Sequence, residues 1–385
     1  MEAYLDNSAT TKVSDSVKNL VVKVMTEDYG NPSSLHMKGV EAEKYIKESR
    51  EIIAKLLKIE PKEIIYTSGG TESNNLALIG GAMANKRAGN HIITSSIEHA
   101  SVLATMKYLE DLGFQVTYLP VDESGHVSME ALKEAMTPET ILVSIMHVNN
   151  EIGAIEPVEE ISKVIKSINP NVVFHVDAIQ SFGKLVLHPK KMGVDMMSVS
   201  GHKIHGPKGS GFLYVSDKVK IKPVIFGGGQ MKGMRSGTEN VPAIAGIGLA
   251  AKEAYENFED KMTKMVELKD YFIDRVTAIE NVTVNSKKGM ESAPHIISVS
   301  FNGVRSEVML HSLEDKQIYV SSGSACSSNK PSVSATLKGI GLSNDEIDST
   351  VRFSLCYDTT KEELDYAVDT VAGMIELLRK FTKRR

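Results

Sequence analysis

Val172-Val-Phe-His-Val-Asp-Ala-Ile-Gln180 is a nearly unbroken apolar run that stops on a carboxylate, Asp177, with Gln180 three residues on. A run so apolar reads as a strand buried on both faces of a mainly parallel sheet. Outward from it the pattern repeats. Strands are predicted at 64–67, 91–95, 115–121, 141–148, 172–177, 196–199 and 211–215. Between them lie amphipathic helical stretches at 40–57, 71–85, 101–112, 129–136 and 158–168. Strand and helix in alternation specify an α/β architecture, a large doubly wound domain whose ligand site lies beyond the carboxyl ends of its strands.

From about Ala250 the character changes. One long charged helix is predicted to Ile279, its apolar positions being Phe258, Met262, Met265, Phe272, Val276 and Ile279. Strands at 296–301 and 351–355 then alternate with helices at 306–313 and 364–378. Thr360 with Glu363 makes a capping box for the last helix, whose basic end suits a helix C-terminus. Residues 16–255 are therefore expected to form the large domain. Residues 1–15 and 256–385 are expected to form a smaller α+β domain.

The 385 residues carry a net charge of −5, with 42% hydrophobic and 24% charged residues, an ordinary globular composition. There is no basic excess for direct nucleic-acid binding and no apolar stretch long enough to span a membrane. The N-terminus lacks the features of a signal peptide, so a soluble, reducing, cytoplasmic protein is expected. Two cysteines, Cys326 and Cys356, are too few for a disulfide framework or a thiolate zinc site. His202 and His205 have no acidic or thiol partner at ligand spacing, and no metal is expected.

Four stretches carry chemistry. Thr67-Ser-Gly-Gly-Thr-Glu-Ser-Asn-Asn75 follows a strand and opens a helix. It reads equally as a capped helix start or as an anion cradle, with Ser68, Thr71 and Ser73 as hydroxyl donors. Asp177 ends a strand where a carboxylate needs a cation or hydrogen-bond donors, and it reads either as a cap of the following helix or as a ligand-site carboxylate. In Ser198-Val-Ser-Gly-His-Lys-Ile-His-Gly-Pro-Lys-Gly209, Lys203 follows a strand among small residues and reads either as a solvated loop lysine or as one held desolvated for Schiff-base chemistry. In Tyr319-Val-Ser-Ser-Gly-Ser-Ala-Cys-Ser-Ser-Asn-Lys330, Cys326 sits in a Ser/Gly/Asn run typical of exposed loops, the setting of a reactive thiol. Cys356 reads as packed at a strand end, and Arg352 as a bidentate clamp for a carboxylate. An anion cradle, a carboxylate and a lysine together are what pyridoxal 5'-phosphate requires.

These motifs, with Asp6-Asn-Ser-Ala-Thr-Thr11, Tyr29-Gly-Asn-Pro-Ser33, Glu98-His99, His147-Val-Asn-Asn-Glu-Ile-Gly153, Arg235-Ser-Gly-Thr238 and Arg352-Phe-Ser-Leu355, occur in order along nearly the whole chain. Together they resemble the NifS/IscS-type cysteine desulfurases, class V enzymes of the fold-type I pyridoxal-phosphate group. The resemblance implies a large domain on a mainly parallel seven-stranded sheet plus a smaller α+β domain. It implies Lys203 as Schiff-base lysine and proton shuttle, Asp177 at the pyridinium nitrogen, and His99 stacked on the ring. Asn150 and Gln180 would contact the 3-hydroxyl side, and Gly70, Thr71, Ser200 and His202 would hold the phosphate. Thr238 would reach the phosphate of a neighbouring subunit in a homodimer. Arg352, with Asn150, would bind L-cysteine. Cys326 would take its sulfur as a persulfide, release L-alanine, and pass the sulfur to an iron–sulfur scaffold or thiolation factor. Selenocysteine lyase and class V aminotransferase are the alternatives on the same scaffold, and Cys326 favours the desulfurase. Gly70 departs from the alanine common in that family, and Ala100 from its lysine.

Overall fold

The structure, a computed structural model, describes residues 1–322 and 333–382. Its centre is a seven-stranded sheet of β1 (Ile64–Thr67), β2 (His91–Ser95), β3 (Gln115–Leu119), β4 (Thr140–Met146), β5 (Val173–Asp177), β6 (Met196–Ser200) and β7 (Gly211–Val215), in the order β1-β7-β6-β5-β4-β2-β3. Only β7 runs antiparallel to its neighbours, and the other pairings are parallel. Every residue of β4, β5 and β6 is buried. Alternation explains this, because Val143, Phe174 and Phe212 point into one core while Leu142, Val173 and Leu213 point into another on the opposite face. The expected seven strands are all present, with ends displaced by at most two residues.

A second core gathers Ala3 and Leu5 with Met262, Phe272, Phe301, Phe353 and Leu364. It packs against an antiparallel sheet of β8 (Val282–Val284), β9 (Ile296–Phe301), β10 (Ser321–Ser322) and β11 (Thr350–Ser354), in the order β10-β11-β9-β8. The first residues of the chain belong here, since Ala3–Tyr4 pairs in parallel with Ile318–Tyr319. The capping box is formed: Thr360 N donates to Glu363 at 2.7 Å and Glu363 N to the Thr360 hydroxyl at 3.3 Å. Arg379 departs from the expected end effect, because it reaches across to the carbonyls of Asn302 and Glu280.

The single linking helix is a correction. The chain forms two helices, Val241–Tyr255 and Phe258–Thr277, with Asn257 between them at φ 50°. Asparagine tolerates this left-handed conformation better than most residues. Tyr255 is fixed at the break by its hydroxyl donating to Leu185 O and by rings of Phe182 and Phe258 within 5.4 Å.

Candidate active site

The strand ends converge. β5 stops at Asp177, and β6 stops at Ser200 and runs into the turn Gly201–Lys203. β1 leads into helix α1 (Gly70–Asn85), and β2 leads to His99, the N-cap of helix α2 (Ala100–Asp111). A cavity of about 330 Å³ lies over these ends. Gly70, Thr71, His99, Asn150, Asp177, Gln180, Ser200, His202, Lys203 and Arg352 all line it. Of the twelve expected site residues, only Cys326 and Thr238 are not among them. Cys326 lies outside the described residues, and Thr238 is exposed elsewhere on the surface.

Asp177 is buried, and both of its oxygens accept. Ile179 N donates to Oδ1 at 3.0 Å and Asn74 Nδ2 to Oδ2 at 2.8 Å. Lys203 Nζ donates to the carbonyls of Ser8 and Ala9, so the N-terminal segment supplies part of the wall. Behind it, the buried amine of Lys184 donates to Lys203 O. Burial pulls the Lys184 amine down to about 8, the Lys203 charge adds to this, and the Cys356 thiol opposes it.

The N-terminus of α1 forms one end of the cavity and could take an anion. Gly69, at φ 150° and ψ −174°, precedes the helix in a conformation reserved for glycine. A Cβ at Gly70 would meet Ile179 Cδ1 at 2.1 Å, so Ile179 fills the notch left by the missing side chain. Thr71 and Ser200 line the cavity. His202 joins them with its imidazole pulled to about 4, chiefly by burial and then by Lys203, and is therefore neutral. Two expected hydroxyl donors are corrected: the Ser73 hydroxyl pairs with Thr67 Oγ1 at 2.7 Å, and Ser68 does not reach the cavity.

At the other end, Arg352 is buried, donating to Asn150 O at 2.8 Å and to Asp6 Oδ1 at 3.1 Å. Its Nε has no partner among the described residues. Gln180 is held on both sides, donating to Ser8 O at 3.0 Å and accepting from His295 Nε2 at 3.1 Å. Cys356 follows β11 partly buried, with burial raising its thiol. His205 faces Lys12 O and the Tyr357 ring, away from the cavity. No group of three or more His, Cys, Asp or Glu side chains is placed to hold a metal among the described residues.

Sequence reasoning missed Asn74, Ser101, Lys184, Asp6 and the Ser8 and Ala9 carbonyls. Asn74 had a local signal: it lies three residues after Thr71, on the same face of α1. The donor set fits pyridoxal 5'-phosphate. It offers helix N–H groups and hydroxyls for a phosphate, a carboxylate for a ring nitrogen, and an amine for an aldehyde.

The family profile described as Aminotransferase class-V matches residues 3–367. The chain is 44% identical over 379 residues to "Cysteine desulfurase IscS" of Dictyoglomus turgidum, covering 98% of this chain and 95% of that protein. It is 41% identical over 379 residues to "Cysteine desulfurase IscS 1" of Archaeoglobus fulgidus, covering 98% of each. Among solved structures, a "NIFS-LIKE PROTEIN" superimposes with a TM-score of 0.92 at 38% identity, over 98% of this chain and 100% of that one. "SspA in complex with cysteine" does so at 0.81 and 37%, over 93% and 100%.

Proposed function

Because the chain belongs to the aminotransferase class-V family, and within it to the cysteine desulfurases of the NifS/IscS type, we propose that this cavity holds pyridoxal 5'-phosphate and delivers the sulfur of L-cysteine to Cys326. The observation that carries the reading is convergence: the Lys203 amine, the Asp177 carboxylate, the N-terminus of α1 and the Arg352 guanidinium meet on one wall-to-wall site.

When bound, the cofactor supplies an electron sink that lets bonds at the α- and β-carbons of an amino acid break. The chain does the rest. Thr71, Ser200, neutral His202 and the Gly70 N–H would hold the phosphate, and Asp177 would hold the ring nitrogen. His99 would face the ring, and Asn150 and Gln180 would serve its hydroxyl side. Lys203 would hold the aldehyde and would take and return the substrate α-proton at Nζ. Arg352 grips the substrate carboxylate with its fork, which requires a share of the guanidinium now given to Asp6.

Cys326 then bonds to the substrate sulfur as the carbon–sulfur bond breaks. L-Cysteine and the thiol become L-alanine and a persulfide, with no external oxidant or reductant. Cys326 follows Ser322 by four residues, a span of at most about 14 Å. Ser322 pairs with Val351, beside Arg352. An acceptor, an iron–sulfur scaffold or a thiolation factor, collects the sulfur in a reducing cytoplasm that keeps the thiol free. Residues 16–255 would be the cofactor unit, and 1–15 with 256–385 the thiol-bearing unit. A homodimer would bring Thr238 to the neighbouring phosphate; exposed Tyr29, Leu35, Met37 and Phe226 support this association. Incubation with L-cysteine and cofactor should give alanine and transferable sulfur in equal amounts, and Cys326→Ala should give neither. Full activity in Cys326→Ala would overturn the assignment.

A further inference from the structure

We infer that Asn74 and Ser101 are positioning residues that carry the polarity of Asp177 to His99, fixing the imidazole as the tautomer protonated on Nε2. The chain of contacts is continuous and its direction is forced. A carboxylate can only accept, so Asn74 must turn its amide nitrogen toward Asp177 Oδ2, at 2.8 Å. The other hydrogen of that nitrogen goes to Ser101 Oγ at 2.9 Å. With its oxygen accepting there, the Ser101 hydroxyl has its hydrogen to give, and His99 Nδ1 lies 2.8 Å away. The backbone N–H of Ser101 also donates to Nδ1, at 3.1 Å, capping α2. Nδ1 thus faces two donors and must present its lone pair, which leaves the proton on Nε2.

The cost of this arrangement is visible. Asn74 Oδ1 is buried with no partner among the described residues, whereas a flipped amide would face Asp177 with its oxygen. The orientation is therefore dictated by the carboxylate rather than by local satisfaction.

Three charges act on the ring. Asp177 favours its cationic form, while Lys203 and the positive end of α2 oppose it. Burial weighs most, and the imidazole is held below its ordinary range. His99 then meets the cofactor and substrate as a neutral donor at Nε2, and accepting the substrate proton falls to Lys203. That consequence rests on the desulfurase reading. The tautomer does not, and the cofactor-free protein tests it separately.

The experiment is 15N-edited spectroscopy of the histidine side chains in apoprotein and in protein loaded with pyridoxal 5'-phosphate, with His99→Gln used only for assignment. The wild type should show the Nε2–H pattern for His99 between about pH 6 and 8. Ser101→Ala should raise the imidazole pKa by roughly half a unit by removing a bond to the neutral form. Ser101→Thr should restore the wild-type value. Asn74→Ala, which does not touch the ring, should move the resonance in the same direction. An Nδ1–H pattern in the wild type overturns the inference. So does an unmoved His99 in Asn74→Ala at wild-type melting temperature. Should Ser101→Ala fail to fold, Asn74→Ala and Ser101→Thr make the same comparison.

Discussion

Gly70→Ala is the sharpest test of the cofactor cradle. The added Cβ would stand 2.1 Å from Ile179 Cδ1 and 3.0 Å from its Cγ1. Carbon atoms rest at about 3.5–4.0 Å, so Ile179 must move by about 1.5 Å or change rotamer. It lines the cavity, and the cavity is where it can go. Overpacking of this kind costs about 1–3 kcal/mol, or roughly 5- to 150-fold in an equilibrium. Gly70→Ala should weaken pyridoxal 5'-phosphate binding by that factor, measured by absorbance titration of the apoenzyme. Ile179→Ala should leave a notch and lower the melting temperature. The double variant should recover to within about threefold of wild type, because the two changes exchange volume across one contact. Two results refute the reasoning: unchanged cofactor affinity in Gly70→Ala, or a double variant whose losses merely add.

Arg352→Lys keeps the charge but loses the fork that spans Asn150 O and Asp6, and should raise the KM for L-cysteine by about 10- to 100-fold, more than it lowers kcat. Steady-state kinetics with alanine detection separate the two. Lys269 gives a pH prediction. Its buried amine donates to the carbonyls of Lys287, Gly289 and Ser292, and burial lowers it to about 8. Between about 8 and its ordinary value the unfolded chain binds more protons than the folded one, so stability attributable to Lys269 rises with pH there and is flat below. Relative to Lys269→Met, the wild type should gain about 2–3 kcal/mol in denaturant melts between pH 7.5 and 10. A constant difference would contradict the burial argument.

The fold was legible because buried parallel strands announce themselves by composition. β4, Thr140-Ile-Leu-Val-Ser-Ile-Met146, has no exposed residue and no polar alternation to confuse it. Site residues at strand ends, such as Asp177 and Lys203, were legible for the same reason: they punctuate apolar runs. What stayed hidden is held by contacts remote in sequence. Asn74 meets Asp177 across 103 residues, and Arg352 meets Asp6 across 346. No periodicity encodes such pairings. The break at Asn257 was missed because apolar spacing continues across it, and the contacts of Tyr255 with Phe182 and Leu185 O at the break are remote in sequence. Gly70 was visible as a departure from its relatives, but its partner Ile179 appears only in three dimensions.

The N-terminal segment that supplies Ser8 O and Ala9 O to Lys203 has a consequence for biosynthesis. Its anchors are late: Ser8 N is held by Ser354 Oγ, 346 residues away, and Ala3–Tyr4 pairs with Ile318–Tyr319. At about 5–20 residues per second, these first residues wait roughly 17 to 70 seconds for partners after leaving the ribosome. The sheet bearing Asp177, with the turn that carries Lys203, can assemble meanwhile, but the lysine has no complete wall until residues 318–354 have been made. A nascent chain arrested before residue 318 should therefore carry a folded sheet and an open, cofactor-incompetent pocket.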